Sequence, residues 1–254
     1  MPKLPATLLG AALLLMIPGF GHASRWYQVE VIIFTQQDRY GTEAAPQDID
    51  LQYPLRVTHF GEGDFSQLPK EQRQLNADAY TLARTGVYKV LFHEAWRQAG
   101  KSQEHTSWLL IKGGEQLGDH YQLEGSLKLY LNSYLHLVTN LWLLTPADAY
   151  STPSTSTTTS TTTTTSVYAS TRDLPPLPGE PSSGAQSLGT STSSYPAVPL
   201  KEVYTFEQSD RLELGKIHYL DHPKMGILVK VTRAQRSDAN TPVIANPTAT
   251  SVLE

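Results

Sequence analysis

The stretch Arg25 to Gln36 reads RWYQVEVIIFTQ, and its pattern decides the fold. Tyr27, Val29, Val31 and Ile33 alternate onto one face of an extended strand, while Ile32 and Phe34 make the second half of the other face apolar too. A strand buried on both faces belongs inside a sheet. An edge strand would carry Lys, Pro or a bulge to discourage pairing with other molecules, and none interrupts the run from Gln28 to Thr35. The spacing therefore predicts a central strand with the remaining strands laid on either side.

Upstream of it, Met1, Pro2 and Lys3 lead into an apolar run through Leu8, Leu9, Leu13, Leu14, Leu15, Met16 and Ile17. Pro18 and Gly19 break the run before the small pair Gly21 and Ala23. One charge, a short apolar core and small residues two apart predict a signal peptide over residues 1–23, with an uncleaved anchor as the alternative. The run is too short to span a bilayer. No Cys is present, which excludes disulfides, a lipid-modified N-terminus, thiolate metal sites and a cysteine nucleophile together. The chain carries 20 Lys+Arg against 24 Asp+Glu, a formal net charge of −4, and loss of Lys3 makes it more negative. A mildly acidic chain without basic clusters argues against nucleic acid and anionic lipid surfaces as partners.

Downstream, Asp38 to Gln67 reads as loop with one short strand near Leu55 to Phe60. A helix of about three turns follows, with Asn76 as N-cap, Leu75 and Tyr80 at staple spacing, Arg84 in the last turn and Gly86 as the left-handed stop. From Val87 to Trp96 the period drops to two, placing Tyr88, Val90, Phe92 and Trp96 on one side and Leu91, His93 and Ala95 on the other. Thr106 to Ile111 is a further β run. Tyr121, Leu123, Leu127 and Leu129 alternate with Gln122, Glu124, Ser126 and Lys128, and Leu135, Leu137, Leu141 and Leu143 line a returning strand. The pair predicts an antiparallel hairpin with one wet side.

At Thr145 the composition changes. Ser151 to Ser166 is almost wholly Ser and Thr, and Leu174 to Pro199 is rich in Pro, Gly and Ser, so residues 145–200 are expected to be a disordered insertion. The β pattern resumes over Val203 to Phe206, a turn at Ser209 and Asp210, Leu212 to Tyr219, a turn through Asp221 to Gly226, and Ile227 to Val231. The last piece is too small to fold alone. The expectation is one domain over 24–144 plus 201–232, with the insertion looping outward and a flexible tail over 233–254. The fold class is α+β, mainly antiparallel sheet with one or two short helices.

The string His218, Tyr219, Leu220, Asp221, His222, Pro223 resembles an H-x-x-E-H zinc signature with Asp in the Glu position. That signature needs a helix, whereas a strand sets the two imidazoles about 13 Å apart at 3.3 Å per residue. Three readings stand: a metal or catalytic site, a ligand contact, and a structural corner in which Asp221 caps a turn and His218 packs. There is no G-x-S-x-G or S-x-x-K string and no dinucleotide or phosphate loop. His93 and Glu94, adjacent on a strand, point to opposite faces and make a poor acid–base pair. The expectation is a non-enzymatic protein without a cofactor. Trp26, Trp96, Trp108 and Trp142 all fall in strand patterns, where a Trp is more often packing than a sugar platform.

Four separated blocks carry a family resemblance: R-W-Y-x-V-E-V-I-I-F from Arg25, Y-K-V-L-F-H-E-A-W-R-Q from Tyr88 to Gln98, Y-L-H-L from Tyr134 to Leu137, and I-H-Y-L-D-H-P-K-M-G-I-L-V from Ile217 to Val229. In that order they resemble the CsiV family of periplasmic peptidoglycan-binding proteins. The long Ser/Thr segment departs from the likeness. The resemblance implies a periplasmic protein of Gram-negative bacteria that binds peptidoglycan and supports wall synthesis and cell shape. Its implied partners are an outer-membrane lipoprotein activator and the bifunctional penicillin-binding protein that it controls. The resemblance supplies no ligand-contacting residues. His218, Asp221 and His222, with His93 and Trp96, are the contact residues expected from their polarity and their place in the matching blocks. A protein–protein adaptor that never grips the wall is the alternative.

Overall fold

The computed structural model describes residues 25–36, 50–147, 171–179 and 198–235. The expected signal peptide, the Ser151 to Ser166 run and the chain beyond 235 lie outside them. The elements in chain order are β1 (Trp26–Gln36), β2 (Val57–Thr58), β3 (Ser66–Gln67), α1 (Asn76–Arg84), β4 (Tyr88–Ala99), β5 (Trp108–Leu117), β6 (His120–Leu131), β7 (Leu135–Pro146), β8 (Leu200–Leu212), β9 (Ile217–Asp221) and β10 (Met225–Ala234). They form two five-stranded sheets, ordered β3-β4-β1-β10-β9 and β2-β5-β6-β7-β8. Apart from the short parallel pair β2–β5, the pairings are antiparallel. The architecture is mainly β. Among the described residues α1 is the single α-helix, and the α+β label expected above rests on it alone.

β1 is the central strand of its sheet, as its two apolar faces require. Val29, Val31 and Ile33 meet Leu109, Ile111, Leu123, Leu127, Leu137 and Leu141 of the other sheet in one hydrophobic cluster. Each such side chain contributes about 1.5–3 kcal/mol when withdrawn from water. On the opposite face, Ile32 and Phe34 pack with Leu75, Ala79 and Leu82 beneath α1.

The alternation expected across β4 is broken by one residue. Ile33 pairs with Phe92 and Phe34 with Val90, so Leu91 is a bulge without a partner in β1. One extra residue exchanges the faces of everything beyond it. Tyr88 and Val90 therefore lie under α1, while Phe92 and Trp96 enter the core between the sheets. The bulge brings the Leu91 carbonyl so close to Gly113 of β5 that a Cβ there would sit 2.3 Å from its oxygen.

Four further expectations are corrected. Asn76 is the first helical residue and not the cap: its side-chain amide donates to the carbonyls of Lys70 and Arg73, and Tyr80 is 66% exposed instead of stapled to Leu75. Gly86 does take the left-handed conformation, at φ 71°. The supposedly wet side of the β6–β7 hairpin is largely covered, with Glu124, Ser126 and Lys128 all buried. β8 runs straight through Ser209 and Asp210, which pair with Val138 and Leu137; the chain turns only at Gly215, φ 78°.

The fourth correction concerns the bounds of the insertion and of the tail. β7 continues to Pro146, and Leu174 and Leu177, with Leu200 at the far end, are buried. Leu174 and Leu200 join Leu117, Trp142, Leu144 and Val203 on the outer face of the second sheet. His59 Nε2 donates to the Pro178 carbonyl at 2.9 Å. Average composition hid these apolar anchors, because a few leucines among many prolines and serines still find an apolar face to cover. The tail, too, starts later than expected, since Arg233 and Ala234 pair with Tyr27 and Trp26.

Candidate functional site

Two buried carboxylates organise the outer faces of the two sheets. Glu30 of β1 is 2% exposed. Its Oε1 accepts from the Leu75 N–H at 2.9 Å and lies 2.8 Å from His93 Nε2, and its Oε2 accepts from the Gln74 N–H at 2.6 Å. The first N–H groups of a helix have no intrahelical partner, and here a strand carboxylate takes the place of a local capping side chain. Burial pushes the Glu30 carboxyl up, but the hydrogen bonds from His93, Gln74 and Leu75 outweigh it and hold the group below its ordinary value. Arg73 completes the corner by donating to the His93 carbonyl and pairing with Glu94 at 2.5 Å.

The second carboxylate, Glu124 of β6, has no solvent exposure. It accepts from the Tyr121 N–H at 2.6 Å, from the Tyr53 hydroxyl at 3.2 Å, and lies 3.1 Å from His120 Nδ1. Burial, with the Glu124 charge second, pushes the Tyr53 hydroxyl far above its ordinary value. The Tyr53 ring also packs edge-on against Trp142 at 4.8 Å. The sequence reading passed over this cluster. The available signal was the H-x-x-x-E spacing from His120 to Glu124, which puts both side chains on one face of a strand.

The five residues expected from the sequence do not converge. Trp96 is 1% exposed and its indole N–H donates to Gln98 Oε1 within the core. His93 is committed to Glu30. In β9, His218 accepts from the Glu213 N–H at 2.8 Å, closing the turn that leads into the strand. Asp221 is exposed and accepts from the Tyr219 hydroxyl at 2.5 Å. His222, past the end of the strand, accepts from the Lys224 N–H at 3.2 Å and leans toward Phe206 and Tyr204 of the other sheet, with ring centres 5.3 and 6.5 Å away. Among the described residues no group of three potential ligands could hold a metal ion.

The open part of the second sheet's outer face is built differently. Trp108, Val138, Asn140, Glu207 and Ser209, with Asp50 and Gln52 of the segment before β2, line a shallow groove of about 600 Å³. Lys128 pairs in register with Val138, and its ammonium lies 5.4 Å from the centre of the Trp108 ring. One step further along the same face, the Tyr130 and His136 rings stack at 5.1 Å and Arg211 lies over Tyr134 at 3.1 Å. Aromatic faces, amides and cations thus share one surface. A smaller cavity of about 330 Å³ beside Gln98 and Thr106 has its charges, Lys101 and Asp64, already paired.

The arrangement defines a two-sheet β scaffold whose acidic–imidazole pairs are closed in and whose accessible polar groups lie along a strand surface, as in a binding module. The chain belongs to the CsiV family of peptidoglycan-binding proteins, whose family model matches residues 5–234. No curated protein and no solved structure matches it.

Proposed function

We propose that the protein is a non-enzymatic periplasmic component of the Gram-negative envelope that binds peptidoglycan. In this reading it supports wall synthesis beside a lipoprotein activator and the bifunctional penicillin-binding synthase under its control. The observation that carries the reading is membership of a peptidoglycan-binding family over nearly the whole chain. The geometry supports a binding role over catalysis. Both carboxylate–imidazole pairs that could do acid–base work are buried and hold backbone N–H groups in place, whereas a general base must reach its substrate's proton. No described helix is long and apolar enough to cross a membrane.

The unit that binds is the two-sheet body from β1 to β7 together with β8 to β10, acting as a single domain. Pairing of β1 with β10 and of β7 with β8 supports this, since each sheet contains strands from both sides of the insertion. His93, Trp96 and His218 hold structure in this reading, and Asp221 and His222 stabilise the β9–β10 hairpin.

Sedimentation of the mature chain with purified, protein-free sacculi tests the proposal. The protein is expected in the pellet, together with an Asp221→Asn variant of unchanged affinity. Recovery of the parent protein in the supernatant instead would favour an adaptor that engages partners through the free edge of β8 or β9.

A further inference from the structure

Lys128 is the least expected charge in the molecule. It is only 8% exposed, and its ammonium makes a cation–π contact with Trp108 but no hydrogen bond or ion pair among the described residues. The stem is covered, and an ammonium partly withdrawn from water without a counter-charge is costly. Desolvation, and second the positive charge of Arg56, lower its proton affinity. Among the described residues Arg56 itself gives a hydrogen bond only to a backbone carbonyl, that of Glu104 at 2.6 Å. The two positive charges thus repel one another, and among the described residues neither has an ion-pair partner. An incoming carboxylate would relieve both.

We propose that the groove beside Trp108 and Lys128 is the wall-binding surface, holding an amino-sugar strand against its aromatic faces and a carboxylate of the attached peptide at the Lys128 ammonium. This deepens the peptidoglycan-binding reading and rests on it. Trp108 and the Tyr130–His136 stack stand on the same side of the sheet, two residues apart along the strand direction and one to two strands apart, about 8–12 Å, which an extended polymer can span. The Asn140 amide at the groove floor donates to the Gln52 carbonyl at 2.9 Å, leaving its oxygen to accept from a sugar hydroxyl or N-acetyl N–H. Glu207 and Asp50 line the groove too. They repel a carboxylate from that side and direct it to the Lys128 side, a charge pattern that fixes the ligand's direction. At the β9 corner Asp221 and His218 already have partners, and the Lys224 ammonium lies over the Tyr204 ring.

The test uses the mature chain, native sacculi, and sacculi whose peptide carboxyls have been amidated. Lys128→Met keeps the stem and removes the charge; Ser209→Glu, at an exposed position on the groove wall, adds a repelling carboxylate without touching the core. Each is expected to weaken sacculus binding about five- to tenfold with an unchanged melting temperature. Amidated sacculi are expected to bind the parent protein about as weakly as native sacculi bind Lys128→Met. If Lys128→Met fails to fold, Ser209→Glu decides. A parent protein that pellets while folded variants pellet equally well overturns the groove and leaves wall binding standing. Undiminished binding to amidated sacculi overturns the carboxylate contact. A parent protein that does not pellet removes both readings.

Discussion

Glu30 shows how one side chain joins local and tertiary structure. It lies in a strand buried on both faces, yet its two oxygens receive the Gln74 and Leu75 N–H groups and the His93 ring. Replacing it by Ala strands those donors in a buried corner. The expected loss is about 2–3 kcal/mol in urea denaturation, with the amides of α1 losing hydrogen-exchange protection first. Because the carboxyl titrates below the ordinary 4.5 when folded, the stability it supplies is present above that value. It drains away as the pH falls through the lower, folded one. Comparing the parent with Glu30→Gln at about pH 6 and about pH 3.5 should therefore show a smaller acid-side loss in the variant. An equal loss in both would assign acid sensitivity to other groups. Nothing in RWYQVEVIIF announces this role, since the partners of Glu30 lie 44 and 45 residues along the chain.

Strands of this protein were readable wherever their period held and misread where a single residue broke it. β1, the β6–β7 hairpin and β10 follow from alternation. The Leu91 bulge in β4 does not, because a bulge is set by the partner strand and not by the strand's own composition. The covered outer face of β6 was equally hidden: Glu124, Ser126 and Lys128 look like a solvated row until other parts of the chain are laid near them. The Ser/Thr insertion divides by the same logic, with Leu174 and Leu177 anchored. Ala147 and Thr171, which flank the Ser/Thr run, hydrogen-bond to the neighbouring residues Pro199 and Val198. The two ends of the run are thus already close. Deleting Ser151 to Ser166 is expected to move the thermal midpoint by no more than about 2 °C, because closing a shorter loop between adjacent points changes little entropy. Failure to fold would mean that the run packs against the body.

The molecule as a whole depends on strands that arrive last. β10 lies against β1 and β8 against β7, so a chain ending at Ala147 would leave the central strand and the second sheet each missing a neighbour. Such a truncation is expected to lack a cooperative melt and to expose apolar surface to a hydrophobic dye, while an independently melting N-terminal piece would refute the single-domain reading. Much of this architecture is written locally. Periodicity shows which segments are strands and which face of each is apolar, and the absence of Cys leaves packing to hold them. Four short blocks in the right order also carried the family. Which strands become neighbours, which polar residues end up indoors, and where a cation is left without an anion were settled only in three dimensions. The reason is physical: burial and charge pairing depend on residues far apart in sequence, and side-chain alternation reports the face of a strand but never what comes to cover it.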